Sequence, residues 1–161
     1  MANNISVGLG EMVISKDPND ILVAYGLGSC LGIGMVDPLR GLSGLLHAVL
    51  PERSNSSDQN FSKYVDSGMQ GMLEELVKSG ADRNRIVLRI AGGANMLTSV
   101  DLSRTFDIGT RNIKSAQQTI PKLNLKLSAQ DVGGTNGRTV RLYVRDGRMT
   151  VRMIGGQERD L

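Results

Sequence analysis

The chain has 161 residues, 40% of them hydrophobic and 22% charged, which suits one domain with a proper core and excludes a disordered tail. A single Cys and a single His exclude an internal disulfide, a multi-cysteine zinc site and a His-rich metal centre, so no metal is expected. The net charge of +3 comes without a dense Lys/Arg block, and aromatics make up only 3%, so no nucleic acid is expected and an acidic protein partner fits as well.

Residues 1–4 show no basic region leading into an apolar stretch, so no signal peptide is expected and the expected location is cytoplasmic. A short strand is predicted over 11–15. Residues 21–36 are uncharged, but this stretch is shorter than the ~20 apolar residues of a membrane span. It reads as two buried strands, 21–25 and 31–36, joined by a Gly-rich turn carrying Cys30, in a protein not embedded in a membrane. Asp37-Pro38 and Arg40-Gly41 mark a turn, and 45–50 is an apolar strand containing His47 and ended by Pro51. The polar stretch 52–60 reads as an exposed loop.

Residues 61–79 carry the clearest helical period: Val65, Met69, Met72, Leu73, Leu76 and Val77 recur at spacings of three and four, and Gly80 follows as a stop. A strand over 85–91 ends in Gly92-Gly93. A second helix is predicted from 109 to about 120, with Pro121 closing it, and a strand over 125–132 ends in Gly133-Gly134. In the last hairpin, Val140, Leu142 and Val144 alternate with Arg141, Tyr143 and Arg145. After the Asp146-Gly147 turn, Met149, Val151 and Met153 alternate with Thr150 and Arg152. Arg141, Arg145, Arg148 and Arg152 then share a solvent face suited to an acidic partner. No repeat or linker divides the chain. The predicted fold is α/β (α+β): a single domain over 1–161, built as a layered sandwich of mixed or antiparallel sheet with two main helices.

Cys30 follows Gly26-Leu27-Gly28-Ser29 at a strand end, where a tight turn can expose a side chain and leave backbone N–H groups of Gly28, Ser29 and Cys30 free to hold an oxyanion. The strand carrying His47 is separated from that of Cys30 only by residues 37–44. Adjacent antiparallel strands would bring thiol and imidazole together, and a neutral imidazole can take the thiol proton and return it to a leaving group. Asp37, Asp20 or a backbone carbonyl would serve to orient the ring. The Gly92-Gly93 and Gly133-Gly134 pairs read as sharp strand exits rather than phosphate cradles.

Six stretches in register resemble the CheD family of chemoreceptor glutamine deamidases: Gly26-Leu27-Gly28-Ser29-Cys30, Leu46-His47-Ala48-Val49-Leu50-Pro51, Lys63-Tyr64-Val65-Asp66, Ile90-Ala91-Gly92-Gly93-Ala94, Ile108-Gly109-Thr110-Arg111-Asn112, and Asp131-Val132-Gly133-Gly134-Thr135-Asn136-Gly137-Arg138. The resemblance implies a fold similar to the catalytic domain of cytotoxic necrotizing factor toxins. It also implies hydrolysis of Gln side chains to Glu on the cytoplasmic helices of methyl-accepting chemotaxis receptors, through a thioester on Cys30 with His47 as base and no cofactor. The family's third catalytic position, a Thr, is here Ala24, so the implied third group is the Ala24 backbone carbonyl. A CheC-type phosphatase is the implied regulatory partner, and the 52–60 loop is expected to grip the substrate. A receptor methylesterase or transglutaminase with the same dyad, or a non-enzymatic adaptor binding receptors or CheC, are the competing readings.

Overall fold

Two mixed sheets of five strands lie face to face, and two helices cover the outer face of one of them, in a computed structural model that describes residues 2–54, 57–96 and 107–161. The first sheet runs in the order β1 (Asn3–Ser6), β3 (Asp20–Leu27), β8 (Arg138–Tyr143), β9 (Arg148–Met153) and β10 (Arg159–Asp160). The second runs β2 (Met12–Ser15), β5 (Leu42–Ala48), β4 (Leu31–Asp37), β6 (Val87–Gly92) and β7 (Leu127–Val132). β1 pairs parallel with β3, and β6 parallel with β7; the other pairings are antiparallel. The helices are α1 (Val65–Lys78) and α2 (Ile108–Lys122).

β4 lies at the middle of the stack and is buried on both faces along its whole length, so it reads as a continuous apolar run rather than an alternating one. Leu31, Ile33 and Met35 pack with Leu46 and Ala48 against Met69, Met72 and Leu76 of α1 and Ala116 of α2. The opposite face of the sheet offers Cys30, Val36, Leu45 and Ala91 to Leu22, Ala24 and Leu27 of β3 and to Val140, Leu142 and Met149. Gly32 and Gly34 share that inter-sheet face. A Cβ on Gly32 would lie 2.9 Å from Val140 Cγ2, and one on Gly34 would lie 2.7 Å from Met149 Sδ. These two positions without side chains let the sheets close on each other.

The strand over 31–36 is buried as predicted and the final hairpin forms, with 140 and 142 turned inward and 141 and 143 outward. Tyr25 of β3, however, is exposed, and Thr150, expected on the solvent face, is buried with its hydroxyl on Glu158. Other features differ as well. Helix α1 starts at Val65, because Tyr64 is extended (φ −110°, ψ 142°) and 61–63 is only a 3₁₀ turn. There the Lys63 carbonyl accepts the N–H groups of Val49 and Leu50, so it ties down the exit of β5 instead of starting a helix. Pro121 lies inside the last turn of α2, where the carbonyls of 119–121 are closed by Leu123, Asn124 and Leu125 rather than by a continuing helix. Short polar strands β1 and β10 carry no apolar alternation for the sequence to reveal. The 52–60 loop includes residues 55 and 56, which lie outside the described residues.

At the end of β4 far from Cys30, the fully buried Asp37 accepts from Arg85 at 3.0 and 2.9 Å and from the Asp82 N–H at 2.8 Å. The Arg85 guanidinium holds the Asp37 carboxyl down at about 2, against the cost of burying a charge. This pair fastens the β4–β5 turn to the connection after α1.

Candidate active site

The segment between β3 and β4 is fixed by its carbonyls. Ala94 N–H donates to Gly28 O at 2.9 Å, the Asn112 amide donates to Ser29 O at 2.8 Å, and Gly93 N–H donates to Cys30 O at 2.9 Å. Among the described residues no carbonyl accepts the N–H of Ser29 or Cys30. The arrangement depends on Gly92, whose φ of +113° suits only glycine and whose Cβ would overlap the carbonyl oxygen of Cys30. Ahead of the segment, β3 carries a bulge between Ala24 and Leu27 with Gly26 at φ +62°, which bends the chain out of the first sheet and into the second.

The strand register places the two candidate residues on one face. Gly32 lies opposite His47 and Leu31 opposite Ala48, so Cys30 falls just past the paired strand on the same inter-sheet face as His47. Diagonal same-face neighbours of this kind are ~7–8 Å apart at Cα, within reach of long side chains. Both groups are nearly buried, Cys30 being 8% exposed and His47 3%.

The imidazole is oriented by main chain. His47 Nδ1 lies 2.9 Å from the carbonyl oxygen of Val7. A carbonyl only accepts, so this nitrogen carries the proton and Nε2 keeps its lone pair. Nε2 is buried with no hydrogen-bond partner among the described residues, the thiol included; such contacts often tighten only when substrate binds. Val7 is held by one main-chain bond, and two more bonds fix the turn that follows it. Its N–H donates to Val23 O at 2.7 Å, Gly10 N–H donates to His47 O at 2.9 Å, and the Glu11 carboxylate accepts from Gly8 N–H at 2.5 Å.

Burial is the main force on both titrations. It pushes the Cys30 thiol up from its ordinary 9.0, offset in part by the residue's own N–H. It pushes His47 down from 6.5, with the Val7 bond and the nearby Glu11 charge pulling the other way. The resting pair is therefore thiol and neutral imidazole, an acid–base couple suited to proton removal during attack rather than a preformed ion pair.

Of the expected site residues, Cys30, Gly28 and Ser29 form the fixed segment, and His47 shares the face of Cys30. Ala24 lies in the inter-sheet core with its residue fully buried, and the carbonyl that meets the imidazole is Val7's. The expectation of a main-chain orienting group thus finds a different carbonyl, one brought there by the β1–β2 turn. Asp37 is bound to Arg85, and Asp20 accepts from Ser15 Oγ at 2.6 Å, so neither orients the ring. A concavity of about 340 Å³ on the first sheet is lined by Tyr25, Thr139, Arg141, Arg152 and Ile154 and by neither Cys30 nor His47. Among the described residues no cluster of His, Cys, Asp and Glu could hold a metal, and no helix is long and apolar enough to cross a membrane. Two contributors escaped the sequence. Val7 acts through a main-chain atom that no side-chain pattern marks. Asn112 ended one of the six stretches that carry the resemblance, without a role being read for it.

Comparison with known proteins gives concordant matches. The family described as CheD chemotactic sensory transduction matches residues 49–153. The chain is 37% identical over 158 residues to the probable chemoreceptor glutamine deamidase CheD of Symbiobacterium thermophilum, covering 97% of this chain and 96% of that protein. It is 40% identical over 159 residues to the probable enzyme of Pyrococcus abyssi (98% and 96% covered), and 35% identical over 152 residues to the chemoreceptor glutamine deamidase CheD of Thermotoga maritima (94% and 93%). Among solved structures, the Bacillus licheniformis hypothetical protein YfiH is similar with a TM-score of 0.50 at 13% identity, over 74% of this chain and 49% of that one. That likeness concerns the fold alone. It points to YfiH, where the sequence had suggested the necrotizing-factor toxins.

Proposed function

This chain belongs to the CheD family, and from that premise we propose that it hydrolyses Gln side chains to Glu on chemotaxis receptors, with Cys30 as nucleophile and His47 as base. The observation that carries the reading is the His47 ring: Nδ1 is tied to Val7 O, and Nε2 is left open on the face it shares with Cys30. Nε2 takes the thiol proton as sulfur attacks the carboxamide carbon, and the carbonyl electrons move onto oxygen. The N–H groups of Ser29 and Cys30, which no carbonyl in the described structure occupies, receive that oxyanion in this reading. Return of the proton from Nε2 lets ammonia leave and a thioester form. Water then gives a proton to Nε2 and its hydroxyl to the thioester carbon, the thiolate departs and is reprotonated, and Glu is released. The net reaction adds one water and releases one ammonia.

Mass spectrometry of receptor cytoplasmic fragments tests this, because Gln and Glu differ in mass. Wild type is expected to convert specific glutamines, and Cys30→Ala and His47→Ala to leave them intact. Conversion by Cys30→Ala at the wild-type rate overturns the assignment. The near-burial of the thiol favours a second reading, a receptor-binding adaptor with a structural Cys30, for which all three proteins would bind receptor fragments and none would release ammonia. A CheC-type phosphatase is proposed as a further partner on family grounds alone.

A further inference from the structure

We infer that Asn112 is a positioning residue that sets the spacing of Cys30 and His47, an inference that rests on the roles proposed for those two. Asn112 lies in the second turn of α2 and is fully buried. Its Nδ2 donates to Ser29 O at 2.8 Å and to Val49 O at 3.0 Å. Both partners are carbonyls, which accept only, so the orientation of the amide is fixed. Ser29 immediately precedes Cys30. Val49 is two residues beyond His47 and, by register, lies across from Cys30.

The place of this bridge gives it its role. The β4–β5 ladder holds as far as Leu31 and Ala48, and then the strands part. Cys30 O turns to Gly93 N–H, and Val49 N–H turns to Lys63 O. Cys30 and Val49 face each other at a non-hydrogen-bonding position of the antiparallel ladder. The next rung, between Ser29 and Leu50, is missing because Leu50 N–H donates to Lys63 O and Leu50 O accepts from Val65 N–H. The two amide protons of Asn112 span this gap, as a side-chain substitute for the missing rung. One turn later Ser115 Oγ donates to Pro51 O at 2.6 Å, so the same helix face is fastened along the exit of β5.

Packing does not account for an Asn here. Its neighbours on the buried stripe of α2 are Gly109, Ser115, Ala116, Thr119 and Ile120; both hydroxyls find carbonyl acceptors, whereas the Asn112 Oδ1 is buried without a partner among the described residues. An orphaned acceptor of this kind is destabilising, and an apolar residue of similar size would remove it. The donors, not the volume, explain the residue. A few tenths of an ångström of drift between strand ends would alter the thiol–imidazole approach, and misplacement of about 1 Å can cost about a hundredfold in rate.

The test compares wild type, Asn112→Leu, Asn112→Asp, Cys30→Ala and the remote control Arg85→Met in receptor-fragment deamidation, with melting temperatures measured in parallel. Asn112→Leu keeps the volume and removes both donors and the orphan. It is expected to stay folded while kcat falls about tenfold to a hundredfold and KM stays within about twofold. Asn112→Asp, of the same size but with a carboxylate facing two carbonyls, is expected to lose at least as much, and it decides the question if the Leu variant does not fold. Arg85→Met, measured equally far below its own melting temperature, is expected to keep wild-type kcat. A folded Asn112 variant with kcat within twofold of wild type overturns the inference, as does a loss matched by Arg85→Met. Full activity in Cys30→Ala is a different result, since it overturns the catalytic assignment itself.

Discussion

Thiol alkylation in the absence of substrate separates the two forms a Cys–His pair can take. A thiol at its ordinary 9.0 is about 1% ionised at pH 7, and burial moves Cys30 above that value, so its thiolate fraction is smaller still. His47, moved below 6.5 by burial, is neutral at the same pH and provides no imidazolium to hold a thiolate. Iodoacetamide labelling of Cys30, followed by mass spectrometry from about pH 5 to pH 10, is therefore expected to be slow at neutrality and to rise about tenfold per pH unit through pH 8. The inflection is expected above 9.0. A preformed thiolate–imidazolium pair behaves oppositely, with an inflection in the acid range and a flat rate through neutrality. A rate constant that does not change between about pH 6 and pH 8 would refute the reasoning that burial, rather than ion pairing, controls this thiol.

The acid limb of deamidation should follow His47 and fall below pH 6.5, because the depressed ring stays neutral, and able to accept a proton, to lower pH than a free imidazole; a kcat/KM profile checks this. Gly92→Ala should destabilise the protein by at least about 2 kcal/mol in urea unfolding, because its backbone is left-handed and a methyl group would overlap Cys30 O. Arg85→Met should lower the urea-unfolding midpoint, because Asp37 then keeps, among the described residues, only the backbone N–H donors of Leu39, Arg40 and Asp82. The sign of the pH effect also follows for wild type. Asp37 has its folded value depressed to about 2 from 3.8, so its contribution is complete above 3.8 and is lost as pH falls toward 2, which acid titration of the unfolding midpoint will show.

Much of this arrangement was legible because strand geometry is local. Once 31–36 and 45–50 were read as strands joined by a short connection, Cys30 and His47 could hardly avoid each other, and the observed register puts both on one face. The hairpin from 138 to 153 was legible for the same reason, since its alternation and Asp-Gly turn both act over a few residues. What escaped was non-local. Tyr64 breaks the helical period because the Lys63 carbonyl is needed by Val49 and Leu50, which the period of 65–77 cannot report. The orienting carbonyl was sought at Ala24, but β3 places that residue inside the core, and the β1–β2 turn brings Val7 instead. Asn112 stood in a stretch already singled out, yet its work depends on two strands parting some sixty and eighty residues away.

The Val7 carbonyl also links the site to an edge of the first sheet. β1 is an edge strand of four residues with β3 as its one neighbour. Segments of this kind open in sub-global fluctuations, at a free energy well below that of unfolding both cores. An opening that extends through Val7 and breaks its bond to Val23 would release Nδ1 from its acceptor and let the ring turn or change tautomer. Amide exchange along 3–7 therefore reports on the fraction of folded molecules whose base is correctly set. Loss of activity on mild warming should track that local equilibrium before any global melting begins.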